Sequence, residues 1–538
     1  MKPLAPEKEK KSRAALVLRA SLVVFLFIVT AKFLNFFKKI LIGQLFGVSR
    51  VADAFFAASF LPYYLAIFFE GVIFLGFLPI FSQVRAQKGE GEARKFLGEI
   101  LLVIFLLTAL LTAAGWTAAP WIVRELVPGF SAADQDLTRS LFQALSFVLV
   151  FITLTSFFKA LNSFFEHYAW AASSALVDSL VMILITLVTW RLGGIRAVAW
   201  AAVGGAFAAL LLQAGFFFQK HPVSLKGPFF YNAWLGKLFL FLIPMGAVWA
   251  FQQIPLVIFN RFGSGMWRGT ISALVISHTL TTVPMGLVNH TVLFAIFPFL
   301  AKQAHETGAE EIRKTFFQTL RGGFLILLPI GFLMSAFAWP LAALFFEGGG
   351  IVPEGTRRIA NSLVGFGWAT FALYADLFMT QSLIAVRKTL PAIFLSASRA
   401  LLTYTLGYVF ATWWDYQGLA LSFSLALVLN FFFLFPFFFR MSPFRGGWSE
   451  LFRYTAKLGL AASPALFIGG LLNHWAAGGW LDLSRGKLIL ILAAGSASGL
   501  GLYFWLLFLM GTREIRTVFS EFRKAWERKS WWLAEQTE

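Results

Sequence analysis

Residues 46–82 read FGVSRVADAFFAASFLPYYLAIFFEGVIFLGFLPIFS, and this stretch decides the class of fold. A polar opening, Ser49-Arg50-Val51-Ala52-Asp53, gives way to a run from Ala54 to Ser82 in which Glu70 is the only charged side chain. A helix needs roughly 20 apolar residues to cross a hydrocarbon core, so this run is long enough to span a bilayer. Asp53 stands where a carboxylate complements the N-terminal dipole of that helix. Glu70 lies deep in the run, between Phe69 and Gly71, where ionisation is expensive without a partner.

The same pattern recurs along all 538 residues. Apolar spans fall near 14–42, 54–82, 97–119, 140–161, 168–190, 195–218, 234–259, 270–300, 322–346, 359–384, 390–412, 418–439, 455–473 and 487–511. The expected fold is therefore an all-α polytopic membrane protein with about fourteen transmembrane helices. Composition agrees: 59% of residues are hydrophobic and 13% charged, about half the charge of an ordinary soluble protein. Aromatic residues reach 17%, a level suited to lipid-facing surfaces and interfacial belts. With no cysteine, disulfide frameworks and thiolate chemistry are excluded. The first apolar run has a basic flank like a signal peptide, yet continues past Lys32 without a small-residue cleavage site, and reads as a retained helix.

The net charge of +19 invites a nucleic-acid reading, which the distribution of the charges rejects. Lys and Arg alternate between successive loops. With the N-terminus inside, the cytoplasmic set holds about 26 of them, including Arg85, Lys88, Arg94, Lys95, Arg387 and Lys388, against about 11 on the opposite side. Both termini are expected in the cytoplasm of a bacterium, and the protein in its inner membrane.

The chain also repeats. Pro79 in Gly76-Phe77-Leu78-Pro79-Ile80-Phe81 matches Pro298 in Ala295-Ile296-Phe297-Pro298-Phe299-Leu300, and each is followed fifteen residues later by an Arg-Lys pair, Arg94-Lys95 and Arg313-Lys314. The offset is 219; Pro120 and Pro340, each beside a tryptophan, keep it to within one residue. Six helices separate matching points, so the two halves share one orientation, and a site is expected between them near mid-membrane. The expected organisation is a basic N-terminus (1–13), a six-helix half (14–220), a second such half (221–440), two additional helices (441–511) and a basic tail (512–538).

From Phe46-Gly47 through Asp53-Ala54-Phe55-Phe56, Leu61-Pro62, Phe69-Glu70-Gly71 and Phe77-Leu78-Pro79-Ile80 to Gln87-Lys88-Gly89, the sequence resembles the MurJ/MviN family of lipid II flippases. That family belongs to the wider superfamily of multidrug and oligosaccharidyl-lipid exporters. The resemblance implies fourteen helices and a polyprenyl-diphosphate substrate. It also implies two arginines spaced by six on the first helix, where this chain has Lys32 and Lys38. A further arginine is implied just after the second-helix Leu-Pro, where Tyr63, Tyr64, Leu65 and Ala66 stand, and another at Thr279, beside His278. Two of four implied cations are absent, and the other two lack the guanidinium fork.

A diphosphate is multiply anionic and needs cations in a protein-lined space. Lys32, Lys38, His278 and Thr279 are the candidate substrate residues; Lys38 and Lys39 also read as side chains that snorkel at a helix end. Asp53, Glu70 and Asp376 are candidates for gating or coupling, with Asp53 equally readable as a helix cap and Lys32 or Lys38 as partners for Glu70. Asp178 and Arg399 occupy nearly matching places on the fifth and eleventh spans and are candidates for a structural pair. No metal-ligand or phosphate-loop motif occurs, and no cofactor is implied.

The expected function is that of a flippase, a transporter and not an enzyme, carrying lipid II or a similar undecaprenyl-diphosphate-linked saccharide to the outer leaflet by alternating access. A coupling cation or the membrane potential is the expected energy source. A flippase for an O-antigen or exopolysaccharide intermediate is the alternative. A membrane glycosyltransferase would need an acidic constellation on a substantial external loop, and a drug exporter an acidic, aromatic cavity at odds with Lys32 and Lys38.

Overall fold

The computed structural model describes the backbone of residues 7–221, 233–306, 309–441, 443–476 and 479–512, with the side chains of 7–25, 28, 75, 233–235, 237–242, 290–306 and 475–476 excepted. The basic side chains from Lys8 to Arg13, His290, Lys302 and the basic tail from Arg513 lie outside the described residues.

Among the described residues every regular element is helical, and the single β pairing is an isolated bridge between Gly348 and Ile351. α1 is Glu7–Phe46, and α2 is Arg50–Val72, prolonged through a π turn, Ile73–Phe77, as far as residue 88. α3 covers 90–126, α4 Ala132–Phe164, α5 168–193 and α6 195–220. α7 is Ala233–Ser264, α8 Thr270–Glu306 and α9 Ala309–Ala336. α10 is a pair of helices, Pro353–Gly367 and Thr370–Ala385, bent by 54°. α11 covers 389–413, α12 416–438, α13 is Trp448–Ala476 and α14 Arg485–Leu509. These are the fourteen spans expected from hydropathy.

The breaks between spans follow from local chemistry. Gly89 (φ 83°) separates α2 from α3, and Gly194 (φ 58°) separates α5 from α6, both in the left-handed region that glycine enters without a Cβ penalty. Ser49 caps α2, its hydroxyl accepting from the Ala52 N–H, and leaves Asp53 in the first turn. Faces are sorted by depth. On α5, Leu184, Val188 and Leu192 form an exposed stripe at i, i+4, i+8, while Ser179, Met182, Ile183 and Thr186 are buried. Such a stripe suits lipid.

Contacts divide the chain into two compact units, the first comprising Met1–Val283, Gly348–Gly355 and Thr389–Leu419, the second Pro284–Glu347, Thr356–Lys388 and Ala420–Glu538. In the first, an aromatic cluster of Phe77, Phe81, Phe96, Phe157, Phe158 and Phe217 ties the π turn to α3, α4 and α6. Phe77 and Phe157 lie with ring centroids 5.1 Å apart. Lipid tails are as apolar as these rings, so the cluster holds by close packing rather than by escape from water. In the second unit, Leu333, Ala336 and Phe337 pack on Ala465 of α13, and the Tyr503 hydroxyl of α14 donates to the Leu325 carbonyl at 3.0 Å.

Candidate functional site

The site begins on α1, where three lysines interrupt an apolar helix. At about 1.5 Å per residue, Lys39 lies roughly 10 Å below the Phe46 end, and Lys32 roughly 21 Å below it. Adjacent residues on a helix splay by about 100°, so Lys38 and Lys39 serve different neighbours. The Lys38 ammonium donates to the Asp178 carboxylate of α5 at 2.7 Å, and both side chains are largely buried. The Lys39 ammonium donates to the Thr279 hydroxyl of α8 at 2.6 Å, and that hydroxyl donates in turn to the Val275 carbonyl. Lys39 and Arg399 are the charges acting on neighbouring His278, whose ring meets Phe259 edge-on at 6.3 Å.

Asp178 and Arg399 each have a partner other than the one expected from their matching places. Lys38 holds Asp178, while the buried Arg399 donates from Nη2 to the Gln252 carbonyl of α7 at 3.1 Å. The reason is reach: α1 brings its ammonium to Asp178 Oδ2 on α5 directly, while Arg399 lies within reach of the α7 carbonyl.

Glu70 is joined by a residue that sequence reasoning passed over. Lys159 of α4 donates to Glu70 Oε1 at 2.6 Å, and Lys159 and Glu70 are 29% and 33% exposed. The third member is Lys32, on which Glu70 and Lys159 are the acting charges. Of the two expected partners of Glu70, Lys32 lies in its field and Lys38 is committed to Asp178. The signal for Lys159 was present in Ser156-Phe157-Phe158-Lys159-Ala160-Leu161, a cation in an apolar run. It lies two residues from the expected end of the fourth span and was not singled out.

Asp53 proves to cap a helix other than its own. Its side chain is fully buried, and its carboxylate accepts from the N–H groups of Gly269 and Ser272, both at 2.7 Å, at the start of α8. Arg50 lies 3.8 Å from the same carboxylate and donates to the Ser264 carbonyl. Asp53 lies 216 and 219 residues from these two donors, so the contact joins segments distant in the chain. Nearby, Gly47 (φ 72°) passes so close to the Gly350 carbonyl that a Cβ on Gly47 would collide with that oxygen. The Gly350 N–H donates to the Gln44 carbonyl, closing the loop 348–355 over the end of α1.

Asp376 belongs to the second unit, where its carboxylate accepts from the Asn430 amide at 3.1 Å, both side chains being buried. Asn430 opens a second π turn, Asn430–Leu434.

Within the first unit, Lys32, Lys39 and Lys159 join Lys38 and Arg399, against the carboxylates Glu70 and Asp178. Cations outnumber carboxylates, which suits an anionic ligand. One position where the resemblance implied a missing cation is supplied from elsewhere in the fold, since Lys39 reaches Thr279 from α1.

Comparison with known proteins agrees with this geometry. The family model described as "Lipid II flippase MurJ" matches residues 42–484. The chain is 24% identical over 426 residues to a "Probable lipid II flippase MurJ" of Buchnera aphidicola subsp. Schizaphis graminum, covering 78% of this chain and 82% of that one. It is 23% identical over 515 residues to the "Lipid II flippase MurJ" of Burkholderia cenocepacia, covering 92% and 97%. Among solved structures, "Lipid II flippase MurJ, inward closed conformation" superposes with a TM-score of 0.71 at 19% identity, covering 90% of this chain and all of that one. A fold of fourteen spans, a lysine series along α1 and a family match over most of the length lead to one conclusion: the chain belongs to the lipid II flippase MurJ family.

Proposed function

We propose that this protein carries a polyprenyl-diphosphate-linked saccharide, most specifically lipid II, from the cytoplasmic to the outer leaflet of the bacterial inner membrane by alternating access. The observation that carries the reading is the lysine series of α1, three cations in an apolar helix, each beside an acceptor or a carboxylate. Charge at that depth is tolerated where it serves a polar path. Lys32 makes the main phosphate contact, helped by Lys38, with His278 and Thr279 alongside. Glu70 responds to occupancy by exchanging partners. Asp53 gates by holding α2 to α8, and Asp376 is the candidate coupling carboxylate for a cation or the membrane potential. The sequence repeat supports two parallel six-helix halves.

The decisive experiment is rescue of cells depleted of their own lipid II flippase, with flipping of lipid II and of another undecaprenyl-diphosphate sugar followed in vesicles. Growth and lipid II transport are expected; transport of the other sugar alone would move the protein to a polysaccharide pathway.

The loop charges support cytoplasmic termini, with 124–139 and 347–358 on the outer side. Since the chain has no cysteine, a single Cys introduced at Ala132 is expected to react with an impermeant thiol reagent added outside. Labelling from the cytoplasmic side alone would invert the assignment.

A further inference from the structure

We propose that Lys159 is a second phosphate-holding cation of the transport site, and that Glu70 is an internal anion occupying the phosphate position until substrate displaces it. This rests on the functional reading above and adds a residue to it. One carboxylate, Glu70, accepts from the Lys159 ammonium at 2.6 Å, and Lys32 is a second cation within the electrostatic range of both. Two cations around one single charge are under-neutralised, and a diphosphate satisfies them better than a carboxylate does. The pair is also accessible, with Lys159 29% and Glu70 33% exposed, whereas Lys38 of the neighbouring pair is only 9% exposed. A pair kept only for structure in an apolar segment gains nothing from such exposure, because ions facing hydrocarbon are expensive.

Position and rigidity point the same way. Lys159 lies five residues before Phe164, the end of α4, and Lys32 roughly 21 Å below the outer end of α1. With the termini inside, both belong to the cytoplasmic half, where a lipid-linked diphosphate enters. Lys38 and Lys39 then lie further along the same helix, toward the outer side. The ammonium of Lys159 also lies over the Phe74 ring at 5.6 Å. Phe157, two residues before it, is fixed against Phe77 of the π turn. That turn begins three residues after Glu70, so one packed cluster holds both members of the pair.

The test is equilibrium binding of undecaprenyl diphosphate to the full-length protein in nanodiscs, with undecaprenol as the uncharged control. Glu70→Gln is expected to tighten diphosphate binding by vacating the position. Lys159→Ala in the Glu70→Gln background, where no carboxylate is left unpaired, is expected to weaken it about tenfold, the size of one charged contact, and to leave undecaprenol binding unchanged. Lys159→Arg should keep affinity within about threefold of the native protein. Equal affinity of Glu70→Gln with and without Lys159→Ala would overturn the proposal, reducing Lys159 to an ion partner of Glu70. The functional reading fails separately: a native protein that does not move lipid II, while Lys159 still accounts for a tenfold difference in diphosphate binding, refutes the substrate and leaves the cation in place.

Discussion

Replacing Asp53 with alanine is expected to cost this protein about 2–6 kcal/mol of stability. The substitution removes the acceptor for two buried N–H groups, those of Gly269 and Ser272, and each unsatisfied buried donor costs about 1–3 kcal/mol. No water replaces the carboxylate easily, since Asp53 is fully buried. Arg50, 3.8 Å away, would lose its carboxylate neighbour as well. Asp53→Asn keeps one acceptor oxygen and should fall between the alanine variant and the native protein. Ser272→Ala retains the backbone donor and should change little. Thermal unfolding in detergent ranks the four proteins; an Asp53→Ala midpoint equal to the native one would mean that the α2–α8 contact contributes no stability.

The second large effect concerns activity. Lys32→Ala is expected to reduce lipid II flipping by about 10- to 100-fold, because a hydrogen bond to a charged group contributes roughly 1.5–3 kcal/mol. Lys32→Arg should retain transport, since the contact is made by charge and the guanidinium preserves it. Flipping in vesicles, normalised to protein inserted, separates the two variants, and full activity in Lys32→Ala would end the mechanism proposed here. Lys39→Ala is a useful contrast. Its ammonium is bound to Thr279, so its loss should show first in thermal unfolding.

Much of this was legible in the chain itself. Fourteen spans follow from hydropathy because transfer of a side chain into lipid is a local free energy, summed over about 20 consecutive residues and indifferent to what the helix later touches. The family resemblance was legible in the 46–89 segment for a similar reason, since its motif is contiguous. The α1 lysines and Glu70 stood out as ionisable groups in apolar runs, which one dimension suffices to reveal.

The partners of those groups were decided by the tertiary structure. Asp178 and Arg399 looked like a pair from their places in the repeat, yet Lys38 reaches Asp178 and Arg399 turns to a carbonyl of α7. Asp53 read as the cap of its own helix, where Ser49 already does that work, and its carboxylate serves α8 instead. Lys159 was not among the residues singled out from the sequence; packing of Phe157 against Phe77 sets it beside Glu70. Hydropathy fixes whether a segment crosses the bilayer, but not how each helix is rotated about its axis. That rotation comes from packing among helices distant in the chain, and it alone selects which ammonium meets which carboxylate.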